Sequence, residues 1–304
     1  MSNSMIPYIS FSEGDACADW VGLTDALAAA HALPKAEIGD TFLYRDNDTL
    51  LSRSAWINGL GIAVKSATIF PGNPDVGKPM VNGGVTLYSD QDGTPAAIVD
   101  FHLVTKWKTA GDSLLAARRL ARPDSERILI VGAGTVGRTL HSAYSAAFPK
   151  ARFSVWNRSP DNAYKMADEL NIEVANDLEI GVQGADIVTS ATMTTTPILK
   201  GDWFQPGQHI DLIGAYRPDM READDAALTR SRVFVDSFAT TIGHIGEIED
   251  PLSRGVISRD DLVADYYDLP SFVRSPNDIT LFKNGGGAHL DLMTARYILD
   301  RWQG

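Results

Sequence analysis

Three glycines follow an apolar run in the stretch RILIVGAGTVGRTL, and their spacing is one that can bind a phosphate-containing ligand. The run is typical of a buried strand and the residues after it are typical of a helix. Gly132 permits a tight turn, Gly134 lets a pyrophosphate approach backbone N–H groups, and Gly137 lets helix and strand pack closely. An ordinary glycine-rich turn is the alternative, but a second strand follows where a dinucleotide-binding βαβ unit requires one. The stretch therefore predicts a dinucleotide site.

The end of that second strand, in FSVWNRSP, indicates which dinucleotide binds. An acidic residue at this position usually accepts hydrogen bonds from the adenosine ribose and repels a 2′-phosphate. Asn157 removes the repulsion, Arg158 can pair with a phosphate and stack on adenine, and Ser159 adds a hydroxyl donor. The alternative is a solvated arginine in a surface turn. The stretch favours NADPH, with NADH as a weaker cofactor.

Three cations in otherwise apolar surroundings could bind an anionic substrate. Lys65 lies in GIAVKSATIF, a predicted buried strand, where an ammonium is costly unless it meets an anion such as a substrate carboxylate. Lys108 stands at the end of a strand-like segment, just ahead of a helix that Asp112 can cap and whose N-terminus favours anions. Arg53 lies in LLSRSAWI. For Lys65 the alternative is a structural lysine in a salt bridge. For Lys108 it is a side chain whose stem is buried and whose ammonium reaches solvent, and for Arg53 it is a surface ion pair.

The composition argues against several classes of protein. The 304 residues permit two domains, and a net charge of -12 offers no basic surface for nucleic acid or anionic lipid. Cys17 is the single cysteine and the histidines show no ligand spacing, so we expect no disulfide and no metal. The N-terminus has no signal-peptide pattern and no apolar run reaches about eighteen residues, which predicts a cytoplasmic protein without a membrane partner.

The elements that must position these residues fall into two predicted domains. The first, 1–120, has helical spacing from Asp19 and several short strand-like runs, which is typical of an α+β domain. The second, 121–285, alternates strands with helices and is predicted to be a Rossmann doubly wound parallel sheet, so the fold class is α/β. An amphipathic helix over 286–304 is predicted to join the first domain.

Seven stretches, collinear over most of the chain, resemble the ornithine cyclodeaminase and mu-crystallin family. They are KSATIFPGNPDVGKP, KTAGDSLLAARRLARPDS, GAGTVGRTL, VWNRSPDNA, GADIVTSATMTTTPIL, IGAYRPDMRE and TLFKNGGGAHLD. The resemblance implies a homodimer whose first domain, joined by the C-terminal helix, holds a small substrate while the Rossmann domain brings the nicotinamide. Members include ornithine cyclodeaminase, alanine dehydrogenase, and reductases of cyclic ketimines such as pyrroline-2-carboxylate and piperideine-2-carboxylate.

The resemblance also implies roles for individual residues. Lys65 matches the family lysine that meets the substrate carboxylate, whereas Lys108 stands where most members have arginine, a guanidinium that Arg53 could replace. On the cofactor side the resemblance implies contacts from Gly132, Gly134, Thr135, Val136, Gly137, Asn157, Arg158, Ser159, Thr192, Met193, Tyr216, Asn284 and Gly285. Lys35 and Arg45 lie in the N-terminal part that aligns poorly, and no role is assigned to them.

Tyr216, in IGAYRPDMRE, departs from the pattern of the cyclodeaminases. Those members have an aspartate there, which handles a proton and positions the distal amine of ornithine. A phenol is neutral at working pH and cannot attract that cationic amine in the same way. Asp219 could substitute if the loop bends back, and Tyr216 could instead be an aromatic wall beside the nicotinamide.

The leading hypothesis is NADPH-dependent reduction of a cyclic ketimine carboxylate. The substrate is expected to be Δ1-pyrroline-2-carboxylate, giving L-proline, and also Δ1-piperideine-2-carboxylate, giving L-pipecolate. Lys65, Tyr216 or a bound water could supply the proton to the imine. The alternatives are an ornithine cyclodeaminase or related amino-acid dehydrogenase, and a non-catalytic NADPH-dependent binding protein.

Overall fold

The computed structural model describes residues 5–304, which divide into two compact units. The first unit comprises the chain up to Lys108 together with Gly287–Gly304, and the second comprises Thr109–Gly286. The first combines helices with a six-stranded sheet and the second contains an eight-stranded parallel sheet. The predicted α/β fold class, a Rossmann sheet plus an α+β domain, is confirmed.

The first unit is built on a mostly antiparallel sheet in the order β1-β6-β5-β4-β3-β2, in which only β1 and β6 pair in parallel. Its strands are β1 (Tyr8–Ile9), β2 (Glu37–Arg45), β3 (Asp48–Ile57), β4 (Gly61–Ile69), β5 (Val81–Tyr88) and β6 (Pro95–Asp100). Its helices, numbered by their place in the whole chain, are α1 (Phe11–Cys17), α2 (Trp20–His31) and α10 (Ala288–Gln303). Helix α3 (Phe101–Leu120) begins in this unit and ends in the second, because the boundary falls after Lys108. Alternate residues of β4 are buried, and α10 packs along β3, β4 and β5 on that face.

Helix α3 begins earlier than the sequence predicts. The expected helix was capped by Asp112, with Lys108 in a strand-like segment before it. In the structure Asp100 accepts a hydrogen bond from the Leu103 backbone N–H at 2.9 Å, at the start of a helix that runs through both positions. The cap is therefore twelve residues upstream of the expected one, and Lys108 lies inside the helix.

The second unit is a parallel sheet in the order β13-β12-β14-β11-β10-β7-β8-β9. The strands are β7 (Arg127–Val131), β8 (Arg152–Trp156), β9 (Glu173–Val174), β10 (Ile187–Ser190), β11 (His209–Leu212), β12 (Arg232–Val235), β13 (Leu262–Ala264) and β14 (Thr280–Lys283). The helices are α4 (Thr135–Ala147), α5 (Pro160–Leu170), α6 (Leu178–Gly184), α7 (Asp225–Thr229), α8 (Phe238–Thr241) and α9 (Gly246–Ser253). The central strands β7 and β10 are buried apart from Arg127 at the start of β7, which explains their continuous apolar runs.

The order of this sheet determines where a ligand can bind. Chain connectivity reverses direction beside β7, because β8 and β10 flank it on opposite sides. Ligands of open α/β sheets bind at such a switch point, outside the carboxyl ends of the strands. In residues 5–304 no helix is long and apolar enough to span a membrane.

Candidate active site

The glycine turn after β7 has an open surface at the switch point. Gly132 has a φ of 113°, and its N–H donates to the Trp156 carbonyl at 2.8 Å, which joins the ends of β7 and β8. A Cβ on Gly137 would lie 2.1 Å from the Gly132 carbonyl oxygen, whereas a Cβ on Gly134 would meet nothing within 4 Å. Close packing at one glycine and open space at the other match the requirements for a bound pyrophosphate.

The N-terminus of α4 faces this open space with unused donors. Gly134 is the N-cap and provides no side-chain cap, and Thr135 and Val136 are the first two residues of the helix. The first N–H groups of a helix have no partner inside it and carry partial positive charge. These residues therefore fit the pyrophosphate of a nicotinamide dinucleotide.

Asn157, at the carboxyl end of β8, braces the glycine turn. Its Oδ1 accepts a hydrogen bond from the Ala133 N–H at 3.1 Å, and its Nδ2 donates to the Ser159 carbonyl at 3.0 Å. Asn157, which stands where an acidic residue was expected, therefore also connects the glycine turn to the loop after β8.

Arg158 and Ser159 are exposed beside that brace. No carboxylate among residues 5–304 pairs with the Arg158 side chain. Ser159 is the N-cap of α5, but its hydroxyl makes no capping hydrogen bond. A free guanidinium and a free hydroxyl at this place fit a 2′-phosphate better than a bare ribose.

A buried carboxylate holds the loops that follow β10 and β11. Glu222 Oε1 accepts hydrogen bonds from the Ser190 hydroxyl at 2.6 Å and from the N–H and hydroxyl of Thr192 at 2.8 and 2.9 Å. Its Oε2 accepts from the backbone N–H groups of Gly214 and Ala215 at 2.5 and 3.3 Å. One side chain thus fixes the backbone on both sides of the crevice, including the residue just before Tyr216. The neighbouring Met193 side chain is 76% exposed.

A second buried acid supports the first. Glu247 accepts hydrogen bonds from the backbone N–H groups of Glu222 and Ala223 at 2.7 and 3.1 Å. Burial raises the pKa of Glu247 to about 7, against the lowering effect of the nearby Lys283 ammonium. Lys283 is also buried and donates to the Leu212 carbonyl at 2.9 Å. The loops at the carboxyl edge of the sheet therefore rest on a buried polar network.

The loop after β14 is fixed in a similar way. Asn284 donates from Nδ2 to the Thr109 carbonyl at 3.0 Å and to the Ser113 hydroxyl at 3.1 Å. A Cβ on Gly285 would lie 2.6 Å from Asp236 Oδ1, so no larger side chain fits there. Asn284 and Gly285 thus lie in a tightly held loop at the same carboxyl edge as the glycine turn.

The first unit contains a row of charged residues across its sheet. Asp40, Arg53 and Lys65 are directly opposite one another on β2, β3 and β4. Arg53 pairs with Asp40, with Nη2 3.0 Å from Oδ2. Lys65 is 7% exposed, and its Nζ donates to the Thr105 hydroxyl at 3.0 Å and lies 4.7 Å from the centre of the Phe101 ring.

Asp291, on α10, pairs with the lysines of this row and of α3. Its Oδ1 accepts a hydrogen bond from Lys65 Nζ at 2.9 Å and lies 3.7 Å from Lys108 Nζ. Nearby Lys108, Lys65 and Arg53 lower the pKa of Asp291 against the raising effect of its burial, which is the larger single influence. The structure brings the three predicted substrate-binding cations together in the first unit, and it gives Lys65 the ion pair that was the alternative to a substrate contact.

The comparisons with known proteins identify the family. The profile described as the ornithine cyclodeaminase/mu-crystallin family matches residues 57–304. The chain belongs to this family. Delta(1)-pyrroline-2-carboxylate reductase from Paracoccus denitrificans (strain Pd 1222) is 48% identical over 301 residues, covering 96% of this chain and 95% of the relative.

Solved structures of the ornithine cyclodeaminase/mu-crystallin fold match nearly the whole chain. Thermococcus litoralis Delta(1)-pyrroline-2-carboxylate reductase, in complex with NADH and L-proline, has a TM-score of 0.86 and 26% identity and covers 97% of both chains. An archaeal alanine dehydrogenase dimer with bound NAD has a TM-score of 0.87 and 25% identity, covering 97% of this chain and 95% of that one.

Tyr216, where this family member departs from the cyclodeaminases, is 57% exposed. The Arg217 guanidinium lies 5.8 Å from the centre of its ring. Arg217 also forms two hydrogen bonds of 2.9 Å with the Asp219 carboxylate and lowers its pKa. Asp219 therefore already has a cationic partner, which argues against its acting as the missing acid.

The two N-terminal cations without an assigned role have exposed side chains. Arg45 pairs with Asp48 at 2.7 Å in the turn between β2 and β3, and its side chain is 72% exposed. Lys35 is exposed in the segment between α2 and β2.

Proposed function

We propose that this chain reduces a cyclic ketimine carboxylate with NADPH, converting Δ1-pyrroline-2-carboxylate to L-proline and also Δ1-piperideine-2-carboxylate to L-pipecolate. The observation that carries the proposal is that two buried lysines, Lys65 and Lys108, lie at the carboxylate of Asp291, with Arg53 directly opposite Lys65 on the neighbouring strand. A substrate carboxylate would stabilise ammonium groups that are costly to bury. The name of the Paracoccus relative and the proline bound in the Thermococcus structure support the same substrate class.

The cation cluster sets the orientation of the substrate. Lys65 has three N–H donors, of which Asp291 and Thr105 use two, so one remains for a substrate carboxylate. Lys108 and Arg53 supply further positive charge on the same side of the sheet. A carboxylate held in this way fixes which face of the adjacent imine carbon is presented.

The reaction needs one hydride and one proton. A bound reduced nicotinamide would supply the hydride, and the imine carbon next to the carboxylate would gain a C–H bond as the C=N π bond breaks. The electron pair goes to nitrogen, which takes a proton from Lys65, Tyr216 or a bound water. The loops carrying Thr192, Asn284 and Gly285 are anchored by hydrogen bonds and close packing, and they would hold the nicotinamide end.

We propose NADPH as the preferred cofactor and NADH as a weaker one. The support is the free, exposed Arg158 next to the Ser159 hydroxyl, with Asn157 in place of an acid. A guanidinium pairs with a phosphate through two parallel hydrogen bonds, and NADH lacks that phosphate.

Replacing Arg158 with alanine is expected to weaken NADPH binding by about 1.5 to 3 kcal/mol, the range for hydrogen bonds to a charged group. This corresponds to roughly a 10- to 150-fold rise in Kd. The affinity for NADH is expected to stay nearly unchanged. Fluorescence titration with both nucleotides measures the difference. Arg152→Ala, an exposed arginine at the other end of β8, is the matched control. Equal losses with both nucleotides in R158A would refute the assignment.

The choice between ketimine reduction and ornithine cyclisation depends on Tyr216. Cyclisation needs a group that holds a second, cationic amine, and Asp219 is already paired with Arg217. We expect rapid NADPH oxidation with pyrroline-2-carboxylate and no proline from ornithine, with or without added NAD. Amino-acid analysis of the ornithine reaction measures this. Formation of proline and ammonia at a rate comparable with imine reduction would contradict it.

Tyr216→Phe separates the two roles open to this ring. The substitution keeps the aromatic wall and removes the hydroxyl, so a proton role predicts a lower kcat and a changed pH profile, whereas a wall role predicts neither. The comparison is made with pyrroline-2-carboxylate at saturating NADPH.

We also propose that the protein is a homodimer formed through the first unit. The sheet face opposite α10 carries apolar side chains, of which Leu43, Leu50 and Trp56 are 62%, 38% and 52% exposed. An exposed apolar face of this kind marks an interaction surface. The archaeal alanine dehydrogenase described as a dimer supports a dimeric state. Sedimentation equilibrium measures the mass directly.

A further inference from the structure

A carboxylate is buried in the middle of the second unit's sheet. Asp211 lies on the central strand β11 between Ile210 and Leu212, and all three side chains are fully buried. Its Oδ2 accepts hydrogen bonds from the Thr189 hydroxyl at 2.7 Å and from the Tyr144 hydroxyl at 3.0 Å. An ionised acid is costly in such a place, where an apolar residue would continue the strand. An acid at this position therefore indicates a role other than filling the core.

A hydroxyl on α3 connects this carboxylate to the loop after β14. Burial raises the pKa of Asp211 to about 6, against the lowering effect of three nearby hydroxyls, one of them that of Ser113. Asp211 is therefore mostly ionised above pH 7, and a carboxylate can only accept hydrogen bonds. Because the Ser113 hydroxyl accepts a hydrogen bond from Asn284 Nδ2 at 3.1 Å, its own hydrogen is available to Asp211. An ionised Asp211 thus makes Ser113 an acceptor toward Asn284.

The side-chain amide of Asn284 is held in one orientation by its contacts with α3. Nδ2 donates to the Thr109 carbonyl at 3.0 Å and to the Ser113 hydroxyl, which uses both of its N–H groups. Both acceptors lie on α3, so the amide oxygen is directed away from that helix. Within residues 5–304 no group donates a hydrogen bond to this oxygen, Oδ1. An unused acceptor therefore lies at the same carboxyl edge of the sheet as the glycine turn.

We propose that Asn284 Oδ1 is the group that recognises the carboxamide of the nicotinamide ring, and that Asp211 is the positioning residue that keeps this oxygen available. The oxygen would accept a hydrogen bond from the carboxamide NH2 of a bound nicotinamide dinucleotide. The inference rests on the proposed function, because it assumes that such a cofactor binds at this edge of the sheet. It adds that the site selects the substituent of the nicotinamide ring.

Without the carboxylate, the Ser113 hydroxyl would compete for the same oxygen. Asp211→Leu removes the acceptor of the Ser113 hydrogen. A buried hydroxyl donor needs an acceptor, and the Asn284 amide supplies one if it turns over and presents Oδ1 to Ser113. The turned amide would face the ligand with N–H groups, which cannot accept a hydrogen bond from a carboxamide NH2. Leucine itself fits the apolar surroundings of β11.

The test compares NADP⁺ with its 3-acetylpyridine analogue, in which a methyl ketone replaces the carboxamide. Both nucleotides offer a carbonyl oxygen to the protein, but only NADP⁺ offers an N–H at this place. Calorimetric titrations give both dissociation constants without any substrate. We expect the unmodified protein to bind NADP⁺ about tenfold more tightly, the effect of one hydrogen bond, and D211L to lower this preference to about twofold or less.

Removing the Ser113 hydroxyl as well is expected to restore the preference. Asp211→Leu with Ser113→Ala leaves no hydroxyl that competes for Asn284 Oδ1, and the Thr109 carbonyl still accepts from Nδ2. We expect the double variant to prefer NADP⁺ by about fivefold or more. A second truncation would not reverse a general loss of structure, so this result separates positioning from stability.

Thr280→Val is the matched control, because it removes another buried hydroxyl from the same sheet, one that donates to the Leu120 carbonyl at 3.2 Å. It is expected to leave the preference unchanged. Asn284→Ala is expected to abolish the preference, and it keeps the inference testable if D211L does not fold.

The preference for NADP⁺ decides the outcome. Equal affinities for the two nucleotides in the unmodified protein would overturn the inference while leaving the proposed function intact. So would a preference that persists in N284A or in folded D211L, or one that the double variant does not regain. If the unmodified protein binds neither nucleotide, the proposed function itself fails.

Discussion

A Lys65→Met variant is expected to keep its fold and its affinity for NADPH while losing about a thousandfold or more in kcat/KM for pyrroline-2-carboxylate. Removing one partner of a buried, hydrogen-bonded charge pair costs about 2 to 5 kcal/mol, and a thousandfold corresponds to about 4 kcal/mol. The loss has two parts, because the substrate carboxylate loses both its charge partner and the contact that orients the ring.

The fold is expected to survive because Asp291 retains a counterion. Lys108 Nζ lies 3.7 Å from the same carboxylate oxygen, and methionine fills the volume of the lysine stem in an apolar strand. Thermal unfolding monitored by circular dichroism, together with NADPH titration, tests this point separately from turnover.

Lys106→Met is the matched control for this experiment. Lys106 lies on α3 and, like Lys65, pairs with a carboxylate, that of Asp15 at 2.6 Å, but it is not part of the charged row. We expect its kcat/KM to remain within a factor of a few of the unmodified value. If K65M unfolds while K106M does not, Lys65 is structural and the assignment of the substrate site is wrong.

The Rossmann half of the fold could be predicted because its signals are local. An apolar run, a glycine turn and a helix lie within one short stretch, and the central strands β7, β10 and β11 are buried on both faces. Patterns of this kind depend on neighbours in the sequence and not on distant parts of the chain.

The predicted start of helix α3 was wrong because two local sequence signals favour a later start. The segment before Lys108 contains β-branched residues and resembles a strand, and Asp112 resembles a helix cap. In the structure Leu103, Trp107 and Leu114 are buried at helical spacing in one continuous helix. Tertiary packing of that apolar stripe outweighs the weak helix propensity of the residues between.

The partners of the predicted site residues could not be found from sequence. Lys65 was expected to need an anion, and the structure provides Asp291, which is 226 residues away. The available signal was an acid between Leu290 and Leu292 on the apolar side of a helix. The sequence around Glu222 gives no such signal, because other acidic residues surround it and a segment of this kind is typical of an exposed loop. Its burial is apparent only from the fold.

Glu222→Gln is expected to lower kcat by about a hundredfold while leaving the affinity for 2′,5′-ADP, the adenosine half of NADPH, unchanged. All five partners of the Glu222 carboxylate are donors. An amide supplies an acceptor on one side only, so at least one backbone N–H of Thr192, Gly214 or Ala215 loses its partner whichever way the amide lies. The loops at the nicotinamide end then shift, and a displacement of about 1 Å can cost a hundredfold in rate.

The same variant should lose about 2 to 3 kcal/mol of unfolding free energy, the cost of one or two unsatisfied buried donors. Glu169→Gln is the control, because that glutamate is 56% exposed and accepts from Arg138 on the surface. In the proposed site the glycine turn and Arg158 would bind the adenosine half without any contact from Glu222, whereas the loops after β10 and β11 are held by its carboxylate. Parallel losses of kcat and of 2′,5′-ADP affinity would therefore mean that Glu222 stabilises the whole unit. A loss of kcat alone would mean that this one buried carboxylate determines where the nicotinamide is held relative to the substrate.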